Sequence, residues 1–331
     1  MLTDLFALAR RMDPALVERA IPPACRVGVT VRDGVDRRGD EAVIESPEWM
    51  PRRPARHFVP AFAVLADTRW PLRFELAIAT DTGWTPWIAS ATIGDADFEP
   101  PVACDDVRCD IDVFTTAPAR AARLRVRVRA SLDALVDAPW LLTLSASDGA
   151  TVDVGAPHRG HARVEVPARS QMVEAAALRR RICSPTSVAM VLDRWGCRLE
   201  TMVLADEIFH ASTDRYGVWP AAIAAAARHG IAGYLLRFPD WSAAAWCLDR
   251  GLPVVASVNY RSGELRGAAM DATDGHLVVL TGYDDDDVLV NDPAADTHAG
   301  VPRRVRRPDL ERVWLERAGV GYVFFDPCVT S

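Results

Sequence analysis

The chain of 331 residues contains no lysine, so all 38 of its basic residues are arginine. No lysine can therefore serve as a general base or form a Schiff base. A coding bias explains this better than any function that would require every lysine to be excluded. No window offers the 18 or more apolar residues that a membrane-spanning helix needs. The start, MLTDLFALARRMDP, has no basic lead followed by an apolar run, and so does not read as a secretory signal. Seven cysteines are an odd count that argues against a disulfide framework, and a cytoplasmic location is expected. Positive charge is not in excess either. With 45 acidic residues, a net charge of -7 and a pI near 5.6, wholesale coating of nucleic acid is excluded. No fixed-period repeat or low-complexity tract is present.

What is there is ordinary globular material. Half of the chain is hydrophobic and a quarter is charged, enough to bury one or two cores in about two domains. Leu2, Leu5, Phe6, Leu8 and Ala9 fall on one side of a helix, so residues 1–24 are expected to form an N-terminal helical segment. From residue 25 to 166, short β-type runs alternate with turn punctuation: Phe58–Leu65, Leu72–Ala79, Trp84–Ala91, Asp110–Phe114, Leu124–Ala130 and Trp140–Ser145. LRVRVR within that stretch alternates strictly, as a strand with one wet face does. An all-β, sandwich-like domain is expected there.

After about residue 166 the texture changes. Helices are expected over SVAMVLDRW, Leu199–His210, Pro220–His229 and Ser242–Arg250, the last two closed by glycine. Strands follow at Val254–Val258, His276–Tyr283, Val288–Asn291 and Gly321–Phe325, giving an α+β domain over residues 167–331.

The chemistry concentrates in this second part. In Ile182-Cys183-Ser184-Pro185, the proline suits the first turn of a helix, which puts Cys183 at the helix N-terminus. Unpaired amides and the helix dipole there favour thiolate. A cysteine before a helix is also commonly a packed core thiol. His276 heads the apolar strand GHLVVLTGY, which turns at Asp284–Asp287 and returns as VLVNDP. Such a hairpin brings His276 and Asp292 to neighbouring strand ends. There an aspartate fixes the imidazole tautomer and leaves the other nitrogen for a thiol proton. Gln171 lies upstream, where a side-chain amide could support an oxyanion beside the backbone N–H of Cys183.

These residues carry a resemblance. The order Gln171, Cys183, His276, Asp292, with CSPTSVAMVLDRWG, TDGHLVVLTGYDDDDVLVNDPAA and ERVWLERAGVGYVFF, resembles the C39-like group of papain-like cysteine peptidases over residues 167–325. The resemblance implies a papain-like fold with helices packed on an antiparallel sheet. It implies Cys183 as nucleophile, His276 as general base and acid, Asp292 as orienting residue and Gln171 as oxyanion-hole donor, with no metal or organic cofactor. The substrate would be a peptide or another amide. Relatives that process bacteriocins read Asp-Cys-Gly at the nucleophile, where this chain has Ile182-Cys183-Ser184, so a double-glycine substrate does not follow. Acyl transfer, as in transglutaminase-like enzymes, and a catalytically silent peptide- or glycan-binding module are the competing readings.

Other signals are weaker. Trp84 and Trp87 could form an aromatic platform for glycan or peptide, or else pack as core or edge residues. Tyr216 and Trp219 border a loop that a papain-like layout would place at the cleft, as substrate contacts. Asp284–Asp287 lacks the spacing of a calcium loop and reads as a solvated hairpin tip. Cys104 and Cys109 have no partner motif for zinc. Arg303–Arg307 reads as a charged loop or strand face.

Overall fold

The structure, a computed structural model, describes residues 1–32, 34–130 and 132–328. Three sheets organise them. In the first, the strands run in the order Arg26–Val31, Thr3–Arg10, Trp140–Ser147, Ala55–Val64, Val113–Ala119, Val107–Asp110. The second is built on Asp36–Arg38, Glu41–Glu45, Ala122–Val128 and Leu72–Thr80, with the short pieces Gly83–Trp84 and Ile88–Ala89 on its edge. The third runs Ala232–Arg237, Val320–Phe325, Val254–Tyr260, Thr273–Asp284, Asp287–Asn291, Pro302–Arg306, and His161–Arg163 pairs with the far end of Thr273–Asp284. No helix among the described residues is long and apolar enough to cross a membrane.

The N-terminal segment corrects the sequence reading. Residues 3–10 form a strand, antiparallel to Trp140–Ser147 and parallel to Arg26–Val31, and only Pro14–Arg19 is helical. The reason is burial on both faces. Phe6 and Leu8 enter the core shared with the second sheet, whereas Leu5, Ala7 and Ala9 enter the core shared with the carboxy-terminal half. A strand covered on both sides shows a continuous apolar run rather than alternation, and over so short a stretch such a run also satisfies a helical period.

Neighbouring strands repeat this division. Phe58, Phe62 and Val64 point to the second sheet, while Val59, Ala61 and Ala63 point the other way. That other face is small, with Thr143, Ser145 and Ser147 continuing it, and helix Trp219–Arg228 (WPAAIAAAAR) packs directly on it. The alanines of this face and of the helix let helix and sheet approach closely. Polar links cross the same boundary: Tyr234 Oη donates to Ala20 O at 2.6 Å, and the Arg237 N–H donates to Ser145 Oγ at 3.0 Å. The two halves therefore share one continuous apolar core.

The alternating arginine strand is also only half as expected. Leu124, Val126 and Val128 face inward, but Arg125 and Arg127 are buried on the outer face rather than wet. Arg127 bonds Glu41 at 2.5 Å, and Glu75 accepts from Arg73 and Arg125. The chain around Trp87 and Phe98 folds back over this network, with Phe98 lying 5.1 Å from the Arg73 guanidinium and 5.7 Å from that of Arg127.

In the third sheet, Gly282 is required by a crossing. A Cβ there would stand 2.3 Å from the Ala162 carbonyl oxygen, where the strand His161–Arg163 passes. Leu8→Ala should cost about 2–5 kcal/mol, the usual price of a cavity at a fully buried leucine. Urea denaturation would measure it. A loss below about 1 kcal/mol would mean that the first strand is peripheral to the core.

Candidate active site

Cys183 is the first residue of helix Cys183–Arg194. The helix begins there because Pro185 occupies a first-turn position that needs no donor, and because the Ile182 carbonyl accepts from both the N–H and the Oγ1 of Thr186, at 3.0 and 2.7 Å. Ser187 Oγ donates to Leu277 O at 3.1 Å, fastening the helix to the strand that carries His276. Sγ consequently sits against that strand. It lines the same groove as His276, and the His276 ring and the backbone amides of Leu277 and Ser184 act on its charge.

The hairpin supplies the rest. Val279 pairs with Asn291 across Thr273–Asp284 and Asp287–Asn291, so His276 and Asp292 emerge at the same end. His276 Nε2 and Asp292 Oδ1 are 2.8 Å apart, and both side chains are buried. With Nε2 committed to the aspartate, Nδ1 is left to face Sγ. Asp292 is held in place by two further donors, the Ala294 N–H to Oδ1 at 3.0 Å and the Ala269 N–H to Oδ2 at 2.8 Å.

This arrangement overrides burial at each member. Burial raises the Cys183 thiol, but the His276 ring and the two backbone amides outweigh it and hold the thiol below its ordinary value. For His276, burial lowers the imidazole while Asp292 and Cys183 push it well above its ordinary range. At Asp292, burial is opposed by His276 and the amides of Ala269 and Ala294, and the carboxyl stays below its usual value. All three shifts act in favour of a thiolate beside an imidazolium, with a carboxylate behind it. The other buried thiols lie the opposite way, as burial pushes Cys25 and Cys247 far up. All seven cysteines are free thiols.

Gln171 begins a short 3₁₀ turn, and its N–H binds Pro293 O at 2.8 Å, one residue from Asp292. Its side chain is buried. Nε2 donates to Arg179 O at 2.7 Å, which uses one of the two amide hydrogens, and Oε1 has no partner among the described residues. Ser170 reinforces the placement through its N–H to His298 Nδ1 and its Oγ to Ala295 O.

A groove of about 440 Å³ opens over Cys183 and His276. Tyr216 and Trp219 both line it. Tyr216 packs against Phe209 with the rings tilted and their centres 4.8 Å apart, and the Arg181 guanidinium lies 5.3 Å from its ring. The Trp219 N–H donates to Asp112 Oδ2 at 2.8 Å, so the turn between Val107–Asp110 and Val113–Ala119 reaches the groove wall from the amino-terminal half. Burial pushes Asp112 up to about 7. Sequence reasoning missed this residue, having placed Asp110–Phe114 inside a strand. It also missed Arg180 and Arg181, although three consecutive arginines before Ile182 were a visible signal.

The weaker candidates fall elsewhere. Trp84 and Trp87 do not line the groove, and one face of each ring is occupied by a guanidinium, Arg123 at 4.3 Å and Arg125 at 4.4 Å. Asp284–Asp287 is the hairpin tip, and the basic run lies against it: Arg304 meets Asp287 at 3.0 Å and Arg307 meets Asp286 at 2.9 Å. No group of three or more His, Cys, Asp or Glu among the described residues is placed to hold a metal ion.

Residues 163–322 match the family model described as Peptidase_C39 like family. The carboxy-terminal half is a C39-like peptidase domain. Solved structures similar to the chain include a C39-like peptidase from Bacillus anthracis, 22% identical, covering 50% of this chain and 98% of that one at a TM-score of 0.40. A double glycine motif protease from an AMS/PCAT transporter, in complex with its leader peptide, is 18% identical over 49% of this chain and 93% of its own, at a TM-score of 0.33. The peptidase domain of Streptococcus ComA, a bi-functional ABC transporter, is 14% identical over 44% and 91%, at a TM-score of 0.32. The comparison with curated proteins gave no match.

Asp292→Asn keeps the side-chain volume and removes the charge that raises His276. The pH midpoint for alkylation of Cys183 by iodoacetamide should then move up by about one unit or more, with the circular dichroism unchanged. An unchanged midpoint would show that this carboxylate does not act on the thiol.

Proposed function

We propose that the C39-like domain is a working cysteine peptidase in which Cys183, His276 and Asp292 form the catalytic triad. The observation that carries this reading is a groove lined by Cys183 and His276, with His276 Nε2 bound to a buried carboxylate that two backbone amides also hold. Family membership supports peptidase chemistry and a peptide substrate. The geometry supports these residues as its agents.

In this mechanism, thiolate Sγ attacks the scissile carbonyl carbon. The oxyanion that forms is stabilised by the Cys183 backbone N–H at the helix terminus and by the remaining amide hydrogen of Gln171. The imidazolium of His276 passes its proton to the leaving amine, which departs and leaves a thioester on Cys183. Neutral His276 then takes a proton from water, the hydroxide adds to the thioester carbonyl, and the acid leaves as the thiolate–imidazolium pair is restored. Asp292 stays ionised and orients the ring. Tyr216 and Trp219 contact the substrate along the groove, and the paired amino-terminal sheets act as a β-sandwich accessory module that buttresses the Trp219 wall.

The lowered thiol and raised imidazole set the sign of the pH dependence. Activity should rise as pH climbs through the depressed Cys183 value, below the ~8.5 of a free thiol. It should fall again only where His276 loses its proton. Cleavage of a quenched fluorescent peptide library, followed from pH 4 to 10, tests this. Cys183→Ala should abolish turnover, and His276→Ala should nearly do so and remove the low-pH limb of iodoacetamide alkylation. Full activity in Cys183→Ala, or alkylation of Cys183 only like a free thiol, would refute the mechanism. Gln171→Ala should lower kcat about 100-fold without moving the alkylation profile. A shifted profile would instead place Gln171 among the groups that tune the thiol.

A further inference from the structure

The charges around the groove are unlike those of the chain as a whole. On a protein of net charge -7, its lining carries four guanidinium groups, those of Arg180, Arg181, Arg215 and Arg317, against the carboxylates of Asp214 and Asp274. Two of the four are committed. Arg181 bonds Asp214 at 2.7 Å, and Arg317 bonds Glu264 at 2.6 Å as well as Asn259. Arg180 and Arg215 are exposed, and neither has a hydrogen-bonded carboxylate among the described residues. Asp112 acts on Arg215 only through space.

The segments that carry the two uncommitted groups are joined, since Arg181 donates to both the backbone oxygen and Oδ1 of Asp214 at 2.7 Å. Arg180 lies three residues before the nucleophile. Arg215 follows Asp214, whose backbone is left-handed at φ 50°, and is pinned by a two-way backbone bridge to His210, at 2.8 and 3.2 Å. Asp274 also lines the groove, two residues before His276. A lining with more guanidinium groups than carboxylates attracts a carboxylate, and guanidinium groups bind carboxylates by paired N–H donors.

We propose that the groove selects peptides bearing Asp or Glu side chains beside the scissile amide, with Arg180 and Arg215 as the specificity-determining residues. The inference rests on Cys183 being the reactive thiol of the proposed function.

Two alkylating reagents of similar size separate these claims. Iodoacetamide and iodoacetate each form an S–C bond at Cys183 and release iodide, but only iodoacetate carries a carboxylate. In the Arg180→Gln/Arg215→Gln double variant, the iodoacetate rate should fall about threefold or more while the iodoacetamide rate stays within about 1.5-fold. For the unsubstituted protein, the ratio of the two rates should shrink as salt is raised from about 0.02 to 0.5 M. Quenched peptides differing only by Glu or Gln should then show the same loss of preference in kcat/KM in the variant. A rate ratio that ignores both substitution and salt overturns the proposal. Equal loss with both reagents also overturns it, since the arginines would then act on the thiol. Failure of Cys183 to react with iodoacetamide at all would remove the proposed function itself, and the inference with it.

Discussion

The contact on which most of this structure depends is that between helix Trp219–Arg228 and the small-residue face of strand Ala55–Val64. Alanines on the helix meet alanines on the strand. Close packing of such short side chains tolerates little change of spacing. It turns the first sheet into a layer buried on both faces and joins the two halves in one core. The same helix presents Trp219 to the groove, where Asp112 holds its first amide. The groove is thus shaped partly by a residue of the amino-terminal half.

A second constraint is the pairing of the Cys183 helix with the His276 strand. No side-chain cap is made at Ile182, and the Ser184 amide of that open first turn acts on the thiol. Ser187 locks the helix to Leu277, directly beside His276. The charge state of the cysteine therefore follows first from the imidazole and then from the backbone amides beside it.

Much of this second part was legible in the sequence because its signals are local. A proline in a first turn marks the Cys183 helix, and a hairpin of apolar strands brings His276 to Asp292. The two amides that fix Asp292, from Ala269 and Ala294, leave no side-chain signature and could not be read. The strand at residues 3–10 was misread because coverage on both faces erases the alternation that distinguishes a strand from a helix. The strand Ala232–Arg237 was passed over for a related reason, being buried nearly throughout. Arg303–Arg307 and Asp284–Asp287 read separately as solvated charge. The structure makes them partners across adjacent strands, and Arg307 starts a helix whose proline was a start signal. The arginine strand Ala122–Val128 shows the same limit: its alternation was correct, but the sequence did not reveal the aromatic cover over its polar face.

The bridge from Asp112 to Trp219 bears on how tightly a substrate can be held. Walls made of loose loops must become ordered when a ligand arrives, and that lost freedom subtracts from affinity. Here one wall is the first turn of a helix, seated on a sheet and anchored by a buried carboxylate. Its conformational entropy was surrendered when the chain folded, so a ligand meeting this wall would face little ordering cost there.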